Sequence, residues 1–349
     1  MRVPFYLPKG WRMCIGSINS FLPQNRVAIV AKGKEKITDE TVSAMKLSQL
    51  VIAVDGGLNF CYKHQVQAKY LIGDLDSVDK SLINKCKHLK IISLERAKDI
   101  SDLEAAIQLA YKLDSTAIPC IFNALGGRKD HHLSNLYLLL KYPKAIIVTK
   151  DAFVRRATIH SPIKVESSFY QQILFAYYGD SHLKIGSKKV FLKRGSQFRL
   201  TEKTHPIQIQ NGEMFLVSKK APSFSSNADI FPLENITFPY SDANEDIFLL
   251  NSGNPSIELK TKVGLTISLI PWLGKAKGIQ TEGLKWNLQG DEMHKEFIGI
   301  SNIALTDHVK ISVTSENLLC IVEKKVIDRE MVGLEDPSST KKFTMRSKL

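Results

Sequence analysis

A unit repeated along residues 27–150 constrains this chain more than any other feature: a short apolar run, a polar loop carrying glycine or aspartate, then an amphipathic segment. The apolar runs are Val27 to Ala31, Leu50 to Val54, Tyr70 to Ile72, Lys90 to Leu94, Ile118 to Ala124 and Lys144 to Val148. They are too short for ordinary helices and too continuously apolar for strands wetted on one side, so they suit strands buried on both faces. Helices are expected between them. One runs from Thr38 or Asp39, either of which can cap it, toward Gln49, and others span Val78 to Cys86, the face Leu103, Ala106, Ile107, Ala110 and Leu113, and a stretch ending at Leu140. Strand alternating with helix predicts a doubly wound α/β domain with a parallel sheet, in which the loop after every strand falls on one edge.

Four of those loops carry candidate chemistry. In Gly73-Asp74-Leu75-Asp76-Ser77 the glycine permits a sharp turn, and the i, i+2 spacing lets Asp74 and Asp76 aim at one point. Carboxylates ~4 Å apart repel by about 4 kcal/mol at an effective dielectric of ~20, which a bound cation relieves; a solvated Asx turn is the plainer alternative. Asp55-Gly56-Gly57 allows close approach of a phosphate or ribose, with Asp55 holding a hydroxyl or a metal-bound water, or it is a simple turn. In Asp99-Ile100-Ser101-Asp102, Ser101 or Asp99 caps the next helix and acids of its first turn offset the dipole, which explains one aspartate without requiring both. Gly126-Gly127-Arg128-Lys129-Asp130-His131 combines glycines, cations and helix-start amides in a phosphate-binding pattern, with His131 and His132 as acid or base candidates unless they cap or pack.

With 349 residues the chain exceeds one ordinary core, and its character changes after Lys150. Residues 151–240 carry short alternating segments, Lys188 to Leu192, Gln197 to Leu200 and Met214 to Val217, which predict a β-rich insert, with Ala221 to Asn227 as a linker. Between His182 and Lys220 nine Lys or Arg face two Glu, as solvated strand faces or as a surface for nucleic acid or another protein. Residues 241–325 predict a C-terminal β-sandwich domain from Ile247 to Leu250, Ile257 to Lys260, Val263 to Ile270, Val309 to Val313 and Leu318 to Glu323. Residues 1–26, basic and broken by Pro4, Pro8, Gly10 and Pro23, are expected to be a disordered leader or a translation start placed upstream of Met13, and 326–349 a polar tail. The net charge of +13 favours polyanionic partners without choosing among nucleotide phosphates, nucleic acid and acidic lipid. No apolar run reaches the ~18 residues of a membrane span. The five separated cysteines form no Cys-x-x-Cys pair, so a cytoplasmic location is expected and a structural zinc is not.

Taken together, Asp55-Gly56-Gly57, the Gly73 to Ser77 pentapeptide, Asp99-Ile100-Ser101-Asp102 and Gly126-Gly127-Arg128 with Asp130-His131 resemble, in order and spacing, the catalytic domain of thiamine pyrophosphokinases. Gly283-Leu284-Lys285-Trp286 and Ser301-Asn302 resemble that family's C-terminal β domain, so the likeness covers residues 27–150 and 241–325. The resemblance implies a homodimer that transfers pyrophosphate from ATP to the hydroxyl of thiamine, giving thiamine diphosphate and AMP, with Mg2+ as cofactor; from the lack of an apolar span, no membrane partner is expected. Carried over position by position, it implies that Asp74, Asp76 and Asp102 hold magnesium and, with Asp99, make up the catalytic set. It further implies that Asp55, Gly56, Gly57, Gly126, Gly127, Arg128, Asp130 and His131 line the nucleotide site, and that Trp286 and Ser301 contact thiamine.

Two departures accompany the likeness. Ser101 stands where the family more often has threonine, which keeps the hydroxyl. The 151–240 segment has no counterpart in a compact member, and it is expected either to form an independent module or to disturb the dimer and the thiamine site. Two other functions stay open: a nucleic-acid or partner-binding protein on a degenerate kinase scaffold, working through the basic segment, and a pyrophosphokinase for another hydroxylated heterocycle. A binding module has no use for mutually repelling aspartates, so nucleic acid is not the expected partner. Trp286 and Ser301 disfavour the other heterocycle, since a tryptophan face suits the cationic rings of thiamine.

Overall fold

The computed structural model of the chain describes residues 18–95, 100–157, 171–200, 207–219, 230–231, 237–295 and 297–326. Its first part alternates as the apolar runs require: α1 (Ile18–Phe21), β1 (Arg26–Val30), α2 (Asp39–Lys46), β2 (Leu50–Val54), α3 (Gly57–Lys63), β3 (Tyr70–Gly73), α4 (Lys80–Lys85), β4 (Lys90–Ser93), α5 (Asp102–Leu113), β5 (Ile118–Phe122), α6 (Lys129–Lys141) and β6 (Ile146–Val148). Strand β1 is buried along its whole length and pairs in parallel with β2 on one side and β5 on the other. Alternation divides its side chains between the two faces. Val27 and Ile29 pack in the core beneath α5 and α6, while Ala28 and Val30 pack in the one beneath α2, α3 and α4.

Local signals fix the helix starts. Thr38 caps α2 by accepting the Thr41 amide, and Ser101 caps α5 by accepting the Glu104 amide. Leu113, expected on the apolar face of α5, is 43% exposed at its last turn, where the stripe has rotated off the core. Within residues 18–26, expected to belong to a disordered leader, Ile18 and Leu22 join the core beneath α2, and the Arg26 guanidinium donates to Pro23 O and Asn19 Oδ1. Residues 1–17 and 327–349 and the linker expected at Ala221 to Asn227 lie outside the described residues.

The next strands are β7 (Ala152–Ala157), β8 (Gln171–Ile185), β9 (Lys188–Leu192), β10 (Gln197–Leu200) and β11 (Ile207–Lys219). They do not fold apart from what precedes them. Thr149 closes a tight turn, its hydroxyl accepting the Ala152 amide, so β7 returns antiparallel along β6 and the sheet continues in the order β10-β8-β11-β7-β6-β5-β1-β2-β3-β4. One face of this extension, Phe175, Tyr177, Phe215 and Val217, belongs to the same core as α5 and α6; the other, with Leu174, Ala176, Met214 and Leu216, forms a smaller core of its own.

The C-terminal part comprises β12 (Tyr240–Ser241), β13 (Glu245–Leu250), β14 (Ser256–Lys260), β15 (Leu265–Glu282), β16 (Gln289–Met293), β17 (Gly299–Ile303), β18 (His308–Ser312) and β19 (Ser315–Val326). Its organiser is β15, which pairs with β19 on both sides of an irregularity, with β17 in its first half and with β16 and β18 in its second. A register shift between Pro271 and Ala276 lets the long strand bend and serve both groups around a core that includes Ile267, Leu269, Ile279 and Leu318. Ile247, Ile270, Leu319 and Ile321 instead face the α/β core, so the two parts share buried apolar surface. No helix among the described residues is long and apolar enough to cross a membrane.

Candidate active site

Strand β1 is where the chain order reverses, with β2, β3 and β4 on one side and β5 and β6 on the other. The crevice beyond the carboxyl ends of such strands is where open α/β sheets hold ligands. Four described loops meet there, and backbone strain is concentrated in them: Asp55, Leu75 and Asn123 have φ of 44°, 63° and 53°.

The loops after β2 and β3 are locked together. The Gly56 amide donates to Ser77 Oγ at 3.0 Å, Asn59 Nδ2 donates to Ser77 O at 3.2 Å, and the Asp79 amide donates to Asn59 Oδ1 at 3.0 Å. Asp55 reaches across to accept the Leu75 amide at 3.0 Å, and Asp74 accepts the Asp76 amide at 3.2 Å in an Asx turn. This turns the expected acids toward one another. The Asp55 carboxyl is pushed up to about 7, first by burial and then by the charges of Asp102, Asp74 and Asp76, against the hydrogen bond from Leu75. Asp102 stands at the start of α5 and also lies within electrostatic reach of His131. Asp99 falls outside the described residues.

Gly73 is the residue that permits this packing. Its φ is 145°, and a Cβ there would lie 1.8 Å from Asp55 Oδ1. Gly73→Ala is therefore expected to destabilise the protein by at least ~2 kcal/mol. Urea unfolding checks this, and an unchanged midpoint would refute the close approach.

The donor set facing the crevice is made of hard carboxylate oxygens, which suit Mg2+ rather than a softer metal. As the side chains stand, no three acidic, histidine or cysteine groups among the described residues are gathered closely enough to hold an ion. The fit therefore rests on donor chemistry and mutual repulsion.

On the other side of the switch point, Gly126 and Gly127 take φ of 76° and 84°, conformations suited to glycine, and lead into α6. Arg128 is deeply engaged. It donates from Nε and Nη2 to the two Asp130 oxygens at 3.1 and 2.6 Å, from Nη2 to Ser301 Oγ at 3.0 Å, and its Nε lies 2.6 Å from Glu323 Oε1. Asp130 is 1% exposed and also accepts the Ser268 hydroxyl at 2.6 Å and the His131 amide at 2.8 Å. Burial opposes its charge, yet the Arg128 hydrogen bond, the charges of His131 and Arg128 and the Ser268 hydroxyl outweigh it and hold the carboxyl at about 2.

His131 Nε2 lies 3.4 Å from Ser301 Oγ. His132, by contrast, packs. Its Nδ1 accepts the Gly126 amide at 3.2 Å, which leaves the proton on Nε2 for Ile230 O at 2.9 Å, and burial lowers its pKa to about 4.

One of the expected thiamine residues, Ser301, thus meets the expected nucleotide residues Arg128 and His131 within one chain. Ser301, at φ 58°, fixes its backbone by donating its amide to Ser268 Oγ at 2.8 Å. The next residue, Asn302, holds the Trp286 backbone at both ends, accepting its amide at 3.2 Å and donating to its carbonyl at 2.7 Å. Trp286 is half-buried, with Lys285 Nζ 5.1 Å from its ring centre. Lys129 pins the same junction, its amide donating to Glu245 Oε1 at 3.0 Å and its ammonium pairing with Asp242 and Glu245.

Several residues of this arrangement carry no motif. Lys32, Lys34 and Glu35 lie on the loop after β1, and Ser268 and Glu323 come from the distant β part. Position offers the only signal for the first three: they follow the strand at which the order reverses.

Comparison with known proteins gives two sequence matches. Residues 42–149 match the family model described as thiamin pyrophosphokinase, catalytic domain, and residues 256–318 match thiamin pyrophosphokinase, vitamin B1 binding domain. No curated protein matches the sequence. Among solved structures, a protein from Lactobacillus plantarum is 18% identical, with 56% of this chain and 98% of that one covered and a TM-score of 0.47. Thiamine pyrophosphokinase from Bacillus subtilis is 17% identical, with 86% and 100% covered and a TM-score of 0.33. Yeast thiamin pyrophosphokinase is 12% identical, with 86% of each chain covered and a TM-score of 0.35. Scores below 0.5 at such identities leave the weight on the two sequence matches, which fall in family order on either side of residues 150–255.

Proposed function

Since the chain carries the catalytic and the vitamin B1 binding domains of the thiamin pyrophosphokinase family in that order, we propose that it transfers pyrophosphate from ATP to thiamine, forming thiamine diphosphate and AMP. The observation that carries this beyond family likeness is the continuity of the site. Acids from three loops act electrostatically on one another, and the last of them, Asp102, lies within electrostatic range of His131, which neighbours Asp130 and Ser301. A donor group for metal-bound phosphates and a junction for the acceptor are thereby joined.

In this reading the thiamine hydroxyl oxygen forms a bond to the β-phosphorus of ATP, the bond from that phosphorus to the α,β-bridging oxygen breaks, and AMP leaves. A carboxylate of the acid cluster takes the hydroxyl proton. Asp74, Asp76 and Asp102 would hold Mg2+, and family likeness adds Asp99 to the catalytic set. The ion, when bound, supplies charge neutralisation to the phosphates. Gly126 and Gly127 admit the nucleotide close to the backbone, and Asp55 with Gly73 sets the spacing of the two acidic loops. Trp286 offers a flat face to the cationic thiamine, worth about 0.5–2 kcal/mol, and Ser301 is held by the Arg128 guanidinium. Family likeness supports a homodimer and a cytoplasmic setting as part of the same proposal.

The test is AMP release from Mg-ATP by the full chain with and without thiamine, with thiamine diphosphate followed in the same samples. Thiamine-dependent AMP matched by thiamine diphosphate is the expected result. A folded chain that turns over neither substrate would sink the proposal.

A further inference from the structure

Transfer of a pyrophosphoryl group from ATP to a hydroxyl calls for cations at the phosphate oxygens. Arg128, the arginine expected there, already spans Asp130, Glu323 and Ser301. The loop after β1 offers two others. This loop runs beside the one after β5 and is held to it. The Gly33 amide donates to Asn123 O at 2.6 Å, the Lys34 amide donates to Leu125 O at 3.2 Å, and Glu35 Oε2 accepts the Leu125 amide at 3.2 Å. A Cβ at Gly33 would lie 2.4 Å from Asn123 O, so the two backbones are in close contact.

From this fixed segment Lys32 and Lys34 cover two different glycine loops. The Lys32 stem occupies the space a side chain at Gly56 would need, its Cδ 2.4 Å from where that Cβ would be, with Ser77 Oγ 3.0 Å from the same point. It therefore stands on the side of the acid cluster. The Lys34 stem lies against Gly126 and Gly127, with Cβ at 3.6 Å and Cγ and Cδ at 3.8 Å from the corresponding Cβ positions. Both lysines are exposed and so available to a ligand entering the crevice.

Resting on the kinase reading above, we propose that Lys32 and Lys34, rather than Arg128, are the residues that grip the nucleotide's phosphates. Lys34, over the paired glycines at the switch point, holds the phosphate that remains on AMP. Lys32, beside the acids that would receive the metal-bound end, holds the pyrophosphoryl group being transferred. Arg128 is a positioning residue that ties the start of α6 to the β part.

Calorimetric titration of the full chain with adenosine, AMP and ATP in Mg2+ buffer tests this. Lys34→Met is expected to weaken AMP and ATP about tenfold each and to leave adenosine unchanged, and Lys32→Met to weaken ATP about tenfold while sparing AMP and adenosine. Lys32→Arg and Lys34→Arg should restore most of the affinity, because the charge returns. Equal losses for adenosine and ATP would mark the lysines as structural and overturn the assignment, as would full ATP affinity in both methionine variants. A wild-type chain that binds no ATP would overturn the kinase reading together with the assignment, whereas ATP binding unaltered by either variant overturns the assignment alone.

Discussion

Asp74→Asn and Asp76→Asn are each expected to lower thiamine-dependent AMP release by about 10²- to 10³-fold or more while leaving the unfolding midpoint close to that of the wild type. The reason lies in where these acids stand. Asp76 is exposed, and Asp74 accepts one amide within its own turn, a bond that the asparagine carbonyl can make equally well. Their charge raises the Asp55 pKa, so toward Asp55 it acts as a repulsion. Carboxylates whose charges repel one another across the loops are accounted for by a cation that arrives with substrate. Initial rates at saturating Mg-ATP and thiamine, with urea unfolding of the same samples, give the answer. Near-normal rates in both variants would remove the acid cluster from the mechanism. A fall in stability equal to the fall in rate would make the two acids structural.

That pair was legible in the sequence because the evidence for it is local: a glycine, two aspartates two residues apart and an apolar run before them. The strands of the α/β part were legible for the same reason, since Val27 to Ala31 or Leu50 to Val54 can only be buried on both faces. Partnership was not. The alternation in Met214 to Val217 announces a strand, but nothing in it says that β11 lies between β7 and β8 in the sheet that begins with β1. Pro271 concealed the length of β15, because a proline normally ends a strand; here it sits beside a register shift, where the ladder with β19 is already interrupted. Lys32 and Lys34 look like any solvated lysines until Gly56 and Gly126 are seen beneath them. Arg128 looks like a phosphate ligand until Glu323, far along the chain, is found at 2.6 Å.

This placement of Arg128 leads to the largest expected change in stability. Arg128→Ala removes the cation from a carboxylate that is 1% exposed, and breaking a buried pair in this way costs about 3–5 kcal/mol. The pH dependence should change sign with it. In the wild type the folded Asp130 titrates near 2, below its ordinary 3.8, so its contribution is fully present above about 3.8 and is lost as pH falls toward 2. Without Arg128, burial is opposed mainly by Ser268 and His131, the carboxyl moves up, and the variant gains stability as pH falls through that raised value toward 3.8, above the range in which the wild type loses it. Asp130→Asn in the Arg128→Ala background removes the stranded charge and keeps an acceptor for the Ser268 hydroxyl, so the double variant should recover much of the loss. Because the Arg128 Nη2 bond to Ser301 is absent in both, the KM for thiamine should stay raised in the double variant even after stability returns. Urea unfolding from pH 3 to pH 8 and thiamine saturation curves separate the two roles. An Arg128→Ala protein as stable as the wild type, or a double variant no better than the single, would mean that Asp130 is not held by Arg128 and that the junction between the α/β and β parts rests on Lys129 with Asp242 and Glu245 instead.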